Sequence, residues 1–199
     1  MPNWCHNSMV VVGPETQVRS IIKAAQSETG LTSLMPQPVD EAGEVIGGTS
    51  WQYDTWGTKW GDCDGDIVYE DYSNPEASAG ISYSTAWGPM SGLIAEVSRQ
   101  HPDVVIDIEY EEPGMCFFGV ESYKAGEIVF QHHHEYNFDE GVIKLPDGWE
   151  MPFDTDYEDE EQDPVGTLHD AIYAAYEHLW QEQSLNRTTA PSDSPPVIS

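Results

Sequence analysis

An α+β fold, with an antiparallel sheet covered on one face by two helices, follows from three features of this 199-residue chain. Strand and helix signals alternate in the order strand, helix, strand, strand, helix, strand. The segment Val104–Glu111 places Val104, Ile106, Ile108 and Tyr110 on one face and Asp107, Glu109 and Glu111 on the other. That period of two is what a strand with one buried and one wet face requires. Two further segments carry apolar residues at helical spacing.

The elements read in order as follows. Ser8–Val12 is a short apolar run and the first strand. Val18, Ile21, Ile22 and Ala25 stand at i, i+3, i+4 and i+7, with Pro14 just ahead and Gly30 as the expected C-cap. Residues 31–65 form a long insertion rich in Gly, Pro and aromatic residues; such a loop is either functional or a small subdomain. Asp66–Glu70 and Gly80–Ala86 are the next two strands. Met90, Leu93, Ile94 and Val97 repeat the helical spacing, with Pro89 near the first turn. Val104–Glu111 follows, and then Met115–Tyr123 and Glu127–Phe138, joined at Lys124-Ala125-Gly126 as a hairpin. The simplest packing of this order is a ferredoxin-like split βαβ sandwich with an added hairpin. The term names a topology and carries no iron–sulfur claim.

Residues 1–145 are thus expected to form this domain, and 146–183 an acidic extension with a helix over 164–182. Asp163 would cap that helix and Pro164 open it. Its stripe Val165, Leu168, Ile172, Ala175 and Leu179 suits docking on its own domain, or pairing with a second copy. Residues 184–199, rich in Ser, Thr and Pro, are expected to be disordered.

The net charge is −29, from 36 acids against 7 Lys and Arg. Direct binding to a phosphate backbone or an anionic membrane is excluded, since both need clustered cations. No apolar run reaches bilayer length and no signal peptide opens the chain, so a soluble cytoplasmic location is expected. Residues 1–100 hold 13 acids and 4 bases; residues 101–199 hold 23 and 3. The scattered Cys5, Cys63 and Cys116 fit reduced thiols better than disulfides or a thiolate cluster. No nucleotide-binding glycine loop or catalytic elbow is present, and no cofactor is expected.

Four features invite a functional reading. Trp4, Trp51, Trp56, Trp60 and Trp87 lie in or beside loops, and Lys59 sits between two of them. Such a set builds either a recognition site, with Lys59 over indole faces, or a mini-core locking the insertion to the sheet edge. His132 and His134 share a strand face with Phe130 and Tyr136; they could share a metal only if a third ligand came from elsewhere. Asp62, Asp64 and Asp66 alternate like a calcium loop, but Ile67 and Ser73 stand where that loop needs Gly and Glu, so a solvated turn leading into a strand is expected. Asp154, Asp156, Glu158, Asp159, Glu160, Glu161 and Asp163 crowd seven charges into ten residues. Such a surface either imitates a polyanion or confers solubility.

The opening Met1-Pro2-Asn3-Trp4-Cys5-His6-Asn7 resembles the start of a phage and plasmid protein family carrying the YubB-type ferredoxin-like domain. Trp56-Gly57-Thr58-Lys59-Trp60 and Thr85-Ala86-Trp87-Gly88-Pro89 are similar to two internal motifs of that family. The resemblance spans about residues 1–130; the acidic part from Pro146 has no counterpart in it. It implies the same fold and a mobile-element origin, and brings no reaction and no catalytic residues. The expected function is that of a non-catalytic accessory protein in the cytoplasm of an infected cell. It would bind a host protein through Trp56, Lys59, Trp60 and Trp87, and through the acids from Asp154 to Glu161. A nucleic-acid-binding host protein would meet it as an acidic mimic; the chain itself would be a monomer or dimer. The alternative is a small-ligand or nucleotide-binding protein, even a hydrolase, using a Trp/Lys59 pocket together with His132 and His134.

Overall fold

The computed structural model describes residues 3–155 and 166–189. It divides into two compact units, one ending at Tyr136 and one beginning at Asn137. The expected boundary at residue 145 therefore falls nine residues earlier.

The first unit runs β1 (Trp4–Gly13), α1 (Glu15–Ala25), α2 (Gly48–Trp56), β2 (Lys59–Asp71), β3 (Ala77–Ala86), α3 (Ser91–Gln100), β4 (Val105–Glu112), β5 (Phe117–Lys124) and β6 (Glu127–Glu135). The six strands form one antiparallel sheet in the order β2-β3-β1-β4-β5-β6. The first four strands with α1 and α3 are the ferredoxin-like unit, and the β5–β6 hairpin extends it beyond β4. Ala125 (φ 53°) and Gly126 (φ 88°) turn that hairpin. Two successive left-handed residues match the right-handed twist of the strands they join.

Alternation decides which face is covered. Met9 and Val11 of β1, Ala79 and Ile81 of β3, and Ile106 and Ile108 of β4 form one core with Val18, Ile21 and Ile22 of α1 and Leu93, Ile94 and Val97 of α3. Asn7 adds a polar tie between neighbouring strands, its Nδ2 donating to the Cys5 carbonyl and to Thr85 Oγ1, both at 2.9 Å. Asn7 of the opening motif is therefore a structural residue. Cys5 is fully buried beside it, and burial pushes its thiol up to about 12.

Three expectations change. The insertion 31–65 holds a helix, α2, and the first half of β2, both hidden by aromatic-rich sequence without a clear apolar period. Asp62–Asp66 lies within β2 and is no turn before it; three register shifts bulge this edge strand, and Asp64 has φ 52°. Bulges and acids blunt an edge against stray pairing. Third, α1 ends at Ala25 with Gln26 as its cap, and Gly30 opens a 3₁₀ turn instead of capping the helix.

In the second unit, β7 (Val142–Lys144) and β8 (Glu150–Pro152) form a hairpin, and α4 (Leu168–Thr189) packs on it. Ile172, Ala175 and Leu179 are buried as expected, joined by Ala171 and Tyr176. His178 lies 2.6 Å from Asp147 and stacks on Trp149. The helix starts later than expected: Thr167 and Asp170 exchange hydrogen bonds of 2.8 and 3.2 Å, a reciprocal cap. The helix also runs past its expected end at residue 182: residues 184–189, expected to be disordered, continue α4. Asp163, Pro164 and Val165 and the rest of the expected tail, residues 190–199, lie outside the described residues. No helix among the described residues is long and apolar enough to cross a membrane.

Candidate binding surface

Three strand ends meet at one end of the sheet. Ala86 of β3 pairs with Trp4 of β1 on one side and with Lys59 of β2 on the other. Thr58 Oγ1 donates to the Ala86 carbonyl (2.7 Å), and the Trp87 amide donates to Asn3 (2.9 Å). α2 brings Tyr53 to the same place.

The outcome is a row of rings: Trp4, Trp60, Trp87 and Tyr53, with successive centroids 6.3, 6.2 and 6.3 Å apart. Trp4, Trp60 and Tyr53 stay 37, 45 and 42 % exposed. The Lys59 ammonium lies 4.2 Å from the Trp60 ring centroid and 5.8 Å from that of Trp87. A cation at that distance is held by the ring quadrupole. Trp60 (φ 73°) and Trp87 (φ 64°) both adopt the left-handed backbone region. For bulky side chains this costs on the order of 1–3 kcal/mol each. The Trp60 amide finds Gln52 Oε1 at 3.4 Å.

Trp56 does not belong to this row. It is buried, its Nε1 donates to the Met35 carbonyl (2.9 Å), and Trp51 packs against it edge-on at 5.3 Å. The insertion thus serves both readings of its tryptophans: Trp51 and Trp56 build a mini-core, while Trp60 stands exposed beside the half-buried Trp87 that follows β3. Tyr53 escaped sequence reading because the helix that presents it did. Trp4 was visible as an aromatic residue, but only its pairing with Ala86 places it in the row.

Beside Trp60 lies a cleft of about 340 Å³ whose walls include Glu28, Asp62 and Asp64. Asp62 accepts from the amides of Leu31 (2.8 Å) and Thr32 (3.3 Å), anchoring the 3₁₀ turn to β2. Burial raises its carboxyl above the ordinary range, with those amides opposing. A raised acid favours the folded state below its ordinary value of 3.8, and that contribution is lost as pH rises through the folded value. Asp62→Asn removes this dependence. Melting temperatures measured from about pH 4 to about pH 7 should shift steadily in favour of the variant as pH rises. Parallel curves would refute it.

His132 and His134 do share a face, as expected, with Phe130 at 5.1 Å from His132 and Phe118 at 5.3 Å from His134. Burial, aided by His133, lowers the pKa of His134. His133 faces the other way and stacks on Tyr110. Among the described residues no three His, Cys, Asp or Glu gather as a metal site. β6 and β2 are opposite edges of the sheet, about 24 Å apart at ~4.8 Å per strand. His132 and His134 therefore do not join Lys59 in one pocket. Of the acidic candidates, Asp154 is half-buried, while Asp156, Glu158, Asp159, Glu160 and Glu161 lie outside the described residues.

Residues 55–163, more than half of the chain, match the family described as the ferredoxin-like domain in Api92-like protein. The chain belongs to that family. The matched span includes the Trp56–Trp60 and Thr85–Pro89 motifs but not the opening one. It also runs through the acidic stretch, correcting the expectation that nothing beyond Pro146 has a family counterpart. Among solved structures, the chain is similar to the crystal structure of protein api92 from Yersinia pseudotuberculosis, at 16 % identity and a TM-score of 0.36. That likeness covers 47 % of this chain and 33 % of that one, so the chain spans about a third of its solved relative. No curated protein matches.

Proposed function

We propose that this chain is a non-catalytic binding protein whose recognition surface is the Trp4–Trp60–Trp87–Tyr53 row with Lys59. The observation that carries the reading is the strain: two tryptophans hold left-handed backbone, and Trp60 stands 45 % exposed. Exposed large rings contribute little to a core, so costly backbone that presents them points to use at a surface. The partner is a basic host protein, drawn by a net charge of −29, and the setting is the cytoplasm of a cell carrying a phage or plasmid. The acidic stretch from Asp154 to Glu161 offers that protein a second, polyanion-like surface.

The test is capture of lysate proteins on the tagged full chain, at low and high salt, against Lys59→Ala and Trp60→Gly. Glycine suits the left-handed position, so Trp60→Gly removes the ring without unfolding the strand. The proposal expects a partner held by the native chain, released by high salt and lost from both variants at unchanged melting temperature. Capture that neither variant alters would overturn it.

A further inference from the structure

The polar chemistry of the three tryptophans and Lys59 is one-sided. An indole N–H can only donate, and so can an ammonium. The side chains of Trp4, Trp60 and Trp87 have no hydrogen-bond partner among the described residues. The surface therefore offers flat apolar faces, three indole donors, Lys59 and the Tyr53 hydroxyl. What suits it is a ligand with apolar rings or ridges and a backbone that accepts but does not donate.

Proline meets that description. It has no N–H, and its carbonyl oxygens in the polyproline II helix have no internal partners. With three residues per turn and a rise of about 3.1 Å per residue, one turn of that helix is ~9.3 Å long. That is enough to lie across both Trp60 and Trp87, whose ring centroids are 6.2 Å apart. Proline also arrives already restricted in φ, so docking costs little ordering entropy.

Charge supplies the second half of the argument. Glu28, Asp62 and Asp64 line the cleft against Trp60, and among the described residues no Lys or Arg lines it. That cleft suits an Arg or Lys flanking the prolines. It opposes a nucleic-acid strand, which would stack on the rings but bring phosphates beside carboxylates.

Resting on the proposed function, we infer that the aromatic row is a docking site for a proline-rich, polyproline II segment with a basic flank. The segment lays its rings on Trp60 and Trp87, accepts hydrogen bonds from the indoles, and places its cation in the acidic cleft beside Trp60.

The experiment is fluorescence anisotropy on the full chain with four labelled probes. These are a proline-rich peptide with an Arg flank, the same peptide with a Glu flank, a Gly/Ser peptide with the Arg flank, and a single-stranded oligothymidine. The first is expected to bind at least about tenfold tighter than each of the others. Trp60→Gly should weaken it by about tenfold or more, and Asp64→Asn should weaken the Arg-flanked peptide while sparing the Glu-flanked one. Melting curves of both variants accompany the titrations, so a folding defect is separated from lost recognition. Equal binding of the Gly/Ser peptide, preference for oligothymidine, no binding of the first peptide, or indifference to Trp60→Gly would each overturn the inference. If lysate capture depends on Trp60 while the proline peptide does not bind, the binding surface stands and its proline specificity falls.

Discussion

Glu121→Ala is expected to lower the melting temperature by roughly 5–15 °C. Glu121 lies on β5, 2 % exposed, and pairs in register with Ile108 on the helix-covered face. Its carboxylate accepts from Ser91 Oγ at the start of α3 (2.8 and 3.1 Å), from Gln131 Nε2 on β6 (2.9 Å) and from the Tyr123 hydroxyl. One side chain therefore ties a helix start to two strands. Tyr123 is fully buried and burial already pushes its hydroxyl pKa upward, so it stays a donor at any working pH. Alanine strands these donors and leaves a cavity, a loss of about 2–4 kcal/mol together. Glu121→Gln retains an acceptor and removes a buried charge, so it should cost less than half as much. Thermal unfolding followed by circular dichroism measures both. An alanine variant that melts within about 1 °C of the native chain would show that the network holds nothing.

Gly92→Ala is the second large effect. A Cβ at Gly92, near the start of α3, would stand 2.2 Å from the Thr55 carbonyl oxygen and 3.1 Å from its carbon. Backbone atoms cannot swing aside like a side chain, so α2 must move or α3 must tilt. Overpacking of this kind costs about 1–3 kcal/mol. The consequence reaches the binding surface, because α2 carries Tyr53, whose ring lies 6.3 Å from Trp87. Gly92→Ala is thus expected both to lower the melting temperature and to weaken recognition at the row. Gly88→Ala is the control: nothing stands within 4 Å of its would-be Cβ, and it should be silent in both measurements. Equal behaviour of the two variants would show that α2 and α3 are not in close register there.

The contrast between these glycines shows what local pattern can convey. Both sit in one short stretch, Thr85–Gly92, and nothing in their neighbours distinguishes them. What separates them is a carbonyl from residue 55, brought in by the packing of α2 on α3. α2 itself was hidden because Trp51, Tyr53 and Trp56 do not repeat as an aliphatic stripe does. The acidic run Asp62–Asp66 misled for a related reason: charge and glycine suggest a turn, while pairing with β3 draws the run into a bulged edge strand.

Alternation in Val104–Glu111 and the 3-4 spacings of α1 and α3 are local signals, since each residue's face depends only on its own element's period. They were enough for the α+β class, the antiparallel sheet and its helix-covered face. Net charge, equally a property of the chain alone, is the ground for expecting neither nucleic acid nor anionic membranes as direct partners. The binding surface is different in kind. Trp4, Tyr53, Trp60 and Trp87 come from three strand ends and a helix, and only the pairing of Ala86 with both Trp4 and Lys59 brings them into one row. The same non-local packing buries Trp56 and leaves Trp60 exposed four residues on. Periodicity can tell which way a side chain points within its element; only the register between elements decides what it meets.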